Sequence, residues 1–178
     1  MKLLTIISVS CVSFLMAVQA MALTAGEAAP AFSAKNQDGK IVHLSDFKGR
    51  PVLIYFYPKD DTPGCTKEAC SFRDEYSKFQ ALGAVVLGVS RQNEASHRAF
   101  KAKYHLPFDL LADNDGKLAQ SFSIGAMPIV GLHKRQSVLI GSDGRVIRIY
   151  PDVDPGTHTA TVIQDLEEHA LHAGKRKT

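Results

Sequence analysis

The stretch "PVLIYFYPKDDTPGCTKEAC" runs from Pro51 to Cys70. Its first seven residues are a continuous apolar, β-rich run, the pattern of a strand covered on both faces. Its second half changes character. Pro63 suits the first turn of a helix, Asp61 or Thr62 is placed to cap it, and the polar–apolar segment continues to about Phe79. A buried strand that runs straight into a helix is the unit from which α/β domains are built.

The same alternation extends in both directions. Upstream, "AFSAKNQDGKIVHLSDF" places Asp38-Gly39 between two short runs, a hairpin signal. Downstream, Ala84 to Ser90 reads as a second buried strand. "NEASHRAFKAKYH" reads as a helix with Asn93 as its cap, and "DNDGKLAQSFSI" holds a short helix. "QSVLIGSDGRVIRIY" is a second hairpin turning at Asp143-Gly144. "GTHTATVIQDLEEHALHA" closes the chain as an amphipathic helix with Val162, Leu166, His169 and Ala170 along one face. There is no internal repeat and no long linker, so the pattern predicts a single α/β domain.

The chain has 178 residues, enough for one domain with a proper core. Hydrophobic content of 45% and charged content of 22% exclude a disordered class. The net charge of +3, with no basic run beyond Lys175-Arg176-Lys177, argues against an electrostatic nucleic-acid binder. Residues 1–22 read as a secretory signal peptide: Lys2, an apolar run, then the cleavage-like Ala20-Met21-Ala22, with Val18-Gln19-Ala20 as the other candidate site. This predicts a domain spanning 23–178, an exported, periplasmic location, and no membrane attachment once the leader is removed. Removal also takes away Cys11 and leaves two cysteines, Cys65 and Cys70, in an oxidising compartment where neighbouring thiols pair.

Cys65 falls in the first turn of the predicted helix, where unpaired backbone N–H groups and the helix dipole favour a thiolate. Thr62 offers a hydroxyl to the thiolate or to an incoming oxygen, and Gly64 keeps bulk away from the sulfur. Cys70 lies five residues on. Along one intact helix that is a rise of about 7.5 Å and a rotation of about 140°, so the two Cα atoms stand roughly 8–9 Å apart. A disulfide needs about 7 Å or less. The spacing therefore disfavours a static staple and favours a cycle between a reduced, helical form and an oxidised, unwound one.

"YPKDDTPGCTKEACSFRD" resembles the peroxiredoxins, and most closely their bacterioferritin comigratory protein or peroxiredoxin Q branch. The family pattern P-x-x-x-T-x-x-C is met by Pro58, Thr62 and Cys65, and the C-x-x-x-x-C spacing to Cys70 marks the branch. The resemblance extends from about Leu23 to His172. It implies a thioredoxin-like fold, a central mixed β-sheet flanked by helices. It also implies reduction of hydrogen peroxide and organic hydroperoxides by Cys65 through a sulfenic acid, closure of a Cys65–Cys70 disulfide, and recycling by a thioredoxin-like reductant. No metal, haem or flavin is implied. Arg135 matches the family arginine that holds the cysteine and the peroxide. Having both redox cysteines in one chain predicts a monomer. The chain departs from the pattern at Gly141, where an aspartate commonly ends the strand, and in "SIGAMPIVGLHKRQ" around Arg135.

Other readings of these residues are structural. Pro58 can simply end a strand, and Thr62 can be only a cap. Glu68 suits the surface of an early helical turn, and Arg73 and Arg91 suit solvent. Lys134 and Arg135 are adjacent and point to opposite faces in extended chain, so one of them serves the site. Two other functions share the fold class: an exported thiol–disulfide oxidoreductase, and a Sco-like copper-binding protein using the cysteine pair with His133. The C-x-x-x-x-C spacing matches neither.

Overall fold

The computed structural model describes residues 23–175. The run from Pro51 becomes β3 (Val52–Phe56), every residue of which is buried. Leu53, Tyr55 and Tyr57 belong to one hydrophobic cluster and Val52, Ile54 and Phe56 to a second on the other side. Alternate side chains of a strand point to opposite faces, so an uninterrupted apolar run means that both faces are covered. On the first side lie α1 (Pro63–Asp74), α2 (Tyr76–Ala81), α3 (Glu94–Tyr104) and α5 (His158–Lys175). On the second lie α4 (Lys117–Ser121) and the 3₁₀ turn Leu44–Phe47.

Among the described residues, seven strands form one mixed sheet in the order β2-β1-β5-β4-β3-β6-β7. Here β1 is Ser33–Asn36, β2 Ile41–His43, β4 Val85–Ser90, β5 Asp109–Ala112, β6 Gln136–Ile140 and β7 Val146–Tyr150. β3 pairs in parallel with β4 and antiparallel with β6, and β4 pairs in parallel with β5. Both predicted hairpins are present, β1–β2 and β6–β7. At the first turn Gly39 takes a φ of 76°, and Asn36 Oδ1 accepts from the backbone N–H groups of Asp38 and Lys40. At β4, Gly88 sits opposite Tyr55, and a Cβ there would come within 2.7 Å of the Tyr55 hydroxyl oxygen. A bare glycine is what lets the tyrosine lie across the neighbouring strand.

The structure departs from expectation in four places. The helix after Pro63 does not run unbroken to Phe79; it ends at Asp74 and restarts at Tyr76. β5 is an additional strand, buried at Leu110 and Leu111. The inner face of α5 carries Val162, Ile163 and Leu166, whereas Ala170 is exposed. Thr62 occupies the N-cap position of α1, but its hydroxyl does not cap it. The expected leader, residues 1–22, lies outside the described residues.

Candidate active site

The site begins where β3 ends. Tyr57 to Thr62 turn the chain from the end of β3 into α1, and Cys65 is the third residue of that helix. Pro63 in the first turn carries no N–H that needs a partner. The Thr62 hydroxyl donates back to the Lys59 carbonyl at 3.0 Å, which fixes the turn and keeps acceptor capacity on the hydroxyl oxygen. Cys65 is 2% exposed and Cys70 is half-buried on the same intact helix, both as free thiols.

Arg135 reaches the sulfur from the neighbouring strand. It stands immediately before β6, next to β3, and its Nη2 donates to Cys65 Sγ at 3.2 Å. Gly64 makes this approach possible, because a Cβ at that position would lie 3.2 Å from the same Nη2. Lys134, its neighbour, is exposed. Of the two adjacent cations, Arg135 is the one beside the thiol.

Glu68 was read as a surface residue, and this is corrected by its complete burial. Its carboxylate pairs with Arg135 Nη1. Burial pushes that carboxyl up to about 7, against the opposing pull of the Arg135 charge and hydrogen bond. Its second oxygen, Oε1, is buried with no hydrogen-bond partner among the described residues. The signal that could have found it is spacing: three residues beyond Cys65 places Glu68 on the same helix face. One guanidinium thus joins a thiol and a carboxylate presented by successive turns of α1.

Arg135 also lines a cleft of about 630 Å³ with Pro58, Met127, Pro128, Lys134, Pro151 and Asp152. Pro58 and Arg135 line the same cleft. Arg73 and Arg91, expected in solvent, are partly exposed and also hold backbone: Arg73 Nη1 donates to the Tyr104 carbonyl at 2.8 Å and Arg91 Nη1 to the Gly131 carbonyl at 2.7 Å. His158, at the start of α5, is buried against Phe72 and Tyr150 and lies 2.9 Å from Ser137 Oγ. Burial, aided by the Arg135 charge, lowers its pKa to about 4, so it is neutral near pH 7.

His133 does not join the cysteines. It lies against the Phe56 ring on the opposite side of the sheet from Cys65 and pairs with Asp113 at 3.0 Å. That separates the imidazole from the thiols a copper site would need.

Residues 25–149 match the AhpC/TSA family. The chain is 40% identical over 149 residues to a putative peroxiredoxin bcp of Coxiella burnetii, covering 80% of this chain and 98% of that protein. The chain belongs to the AhpC/TSA family, in its peroxiredoxin Q and bcp branch. It is also 46% identical over 143 residues to a chloroplastic peroxiredoxin Q of Oryza sativa subsp. japonica, across 80% of this chain; it spans 66% of that protein's length, just under two thirds. Among solved structures, the bacterioferritin comigratory protein of Xanthomonas campestris superposes with a TM-score of 0.73 at 33% identity, covering 78% of this chain and 92% of its own. The thioredoxin-like fold of the peroxiredoxins is therefore this chain's fold. The expected exported, periplasmic location is corrected by the same comparison. The plant relatives are chloroplastic peroxiredoxins, so membership of the branch does not go with export, and an apolar leader with one lysine does not by itself specify a compartment.

Proposed function

We propose that this peroxiredoxin is a thiol-dependent peroxidase acting on hydrogen peroxide and small organic hydroperoxides. The observation that carries the reading is the Arg135 guanidinium at 3.2 Å from Cys65 Sγ, at a helix N-terminus, with the same arginine lining a neighbouring cleft. A cation and free N–H groups favour the thiolate, and the same cation faces the oxygen on which charge develops as the O–O bond breaks.

The Cys65 thiolate attacks one peroxide oxygen, the O–O bond breaks, and the leaving oxygen departs as water or an alcohol after taking up a proton. Cys65 is then a sulfenic acid. Thr62 can accept a hydrogen bond from the peroxide O–H, and Pro58 with Met127, Pro128 and Pro151 offers apolar surface to an alkyl group. The Xanthomonas campestris relative is described as reducing alkyl peroxides, which supports this substrate class. The Cys70 thiol next attacks the Cys65 sulfur, forming the disulfide and releasing water. A thioredoxin-like dithiol restores both thiols and is itself oxidised to a disulfide. The complete cycle draws on one chain, which is the basis for reading the working unit as a monomer.

The test is a pair of serine variants assayed with excess reductant. Cys65→Ser should have no peroxidase turnover. Cys70→Ser should consume about one peroxide per chain and then stop, because its sulfenic acid has no partner thiol. Sustained turnover by Cys65→Ser would overturn the reading.

A further inference from the structure

The turn that delivers Cys65 carries two successive carboxylates, and α3 holds both. Asp60 is buried. Its Oδ1 accepts from the Tyr57 hydroxyl at 2.6 Å, and its Oδ2 accepts from Ser96 Oγ at 2.6 Å and from His97 Nδ1 at 2.9 Å. Its backbone N–H donates to Gln92 Oε1, and Ser90 Oγ holds that same oxygen at 2.8 Å. His97 is fully buried, and its ring sits between the turn and the sheet, with Nε2 3.2 Å from the Leu111 carbonyl on β5. Asp61 follows at a φ of 56°, a left-handed conformation rarely taken by a residue with a side chain. Its carboxylate accepts from Lys103 Nζ at 2.6 Å and from the Tyr104 hydroxyl at 2.5 Å.

This is more restraint than a surface turn needs. Charge-assisted bonds to a buried carboxylate are among the stronger ones, and backbone strain persists only where its surroundings over-determine it. From Asp61 the chain has little freedom before Cys65, since Thr62 is bonded to Lys59 and Pro63 fixes its own φ. The placement of the sulfur against Arg135 is thus set upstream, at Asp60.

We propose that Asp60 and His97 are positioning residues for the peroxide reaction: their buried pair locks the Pro58–Thr62 turn to α3 and thereby holds Cys65 in line with Arg135. Neither residue touches the sulfur; they act through the turn. The inference rests on the peroxidase reading and adds the part that aims its nucleophile.

The experiment uses the full chain and follows two reactions of Cys65: oxidation by hydrogen peroxide, and alkylation by iodoacetamide mapped to Cys65 by mass spectrometry. The first needs sulfur, peroxide and Arg135 in register, whereas the second, run at a pH where the thiol is fully ionised, needs only a reachable thiolate. In Asp60→Asn the second-order rate constant for peroxide should fall about tenfold while alkylation stays within about twofold. If Asp60→Asn does not fold, Ser96→Ala, which removes a single bond to the same carboxylate, carries the test with an expected loss of about threefold in the peroxide step alone. An unchanged peroxide rate in a folded variant overturns the proposal, and so does an equal loss in both reactions. A parent chain that fails to react with peroxide would instead overturn the peroxidase reading beneath it.

Discussion

Gly64 has no side chain, and the Arg135 guanidinium occupies the space beside it. Gly64→Ala should therefore push Nη2 away from the sulfur and slow Cys65 oxidation about tenfold, measured by stopped-flow with hydrogen peroxide. Arg135→Ala removes the cation altogether and should cost about a hundredfold in the same rate, the scale seen when one donor to a developing oxyanion is deleted. The residues of the proposed site were legible because their types and spacing are constrained together: Pro58, Thr62 and Cys65 in one motif, with Cys70 five positions on. Glu68 was not. A glutamate early in a helix is favoured on the surface by the helix dipole, and only the arrival of Arg135 from β6, 67 positions away in sequence, turns it into a buried partner. His97 was hidden for the same reason. Its partner Asp60 lies 37 positions away, and no local pattern links the two.

Among the elements, α1 carries the central conformational demand. Cys65 and Cys70 sit on one continuous helix, Pro63–Asp74, so closing the disulfide requires part of it to open. Far-ultraviolet circular dichroism should show a loss of helical signal when the reduced protein takes up one equivalent of peroxide, and its return on reduction. Cys70→Ser should show no such loss. β3 and β4 were plain in the sequence because buried parallel strands are uninterrupted apolar runs. β5 gave no comparable signal. Its four residues, Asp109–Ala112, include one aspartate and fall between a proline and an acidic loop, too short for periodicity to show. The break at Glu75 was likewise invisible, since no glycine or proline marks it. At β4, Gly88→Ala would force a Cβ onto Leu110 and Tyr55 and should destabilise the fold by about 1–3 kcal/mol, read from chemical denaturation.

Across the whole molecule, the sheet separates two regions with different tasks. One side holds Cys65, Arg135, His97 and most of the helices; the other packs α4 and the 3₁₀ turn over a second apolar cluster. Burying His158 on the site side ties global stability to pH. Its folded pKa, about 4, lies below the ordinary histidine value of 6.5, so the unfolded chain binds the proton more tightly. Its contribution is fully present above about 6.5 and is lost progressively as pH falls toward 4. Thermal unfolding of His158→Gln should therefore fall less steeply between those pH values than that of the parent. The two-sided α/β architecture was legible from alternation alone, since each apolar run must be covered. The chain's location was not, because the apolar character of residues 1–22 does not by itself specify a compartment.

The most direct measurement is the mass of the reduced protein after one equivalent of hydrogen peroxide, with peptide mapping of the product. A working Cys65–Cys70 cycle predicts a loss of two hydrogens, with a disulfide joining the two cysteines of α1. Two unmodified thiols, or an oxidised Cys65 that persists beside a free Cys70 thiol, would contradict it.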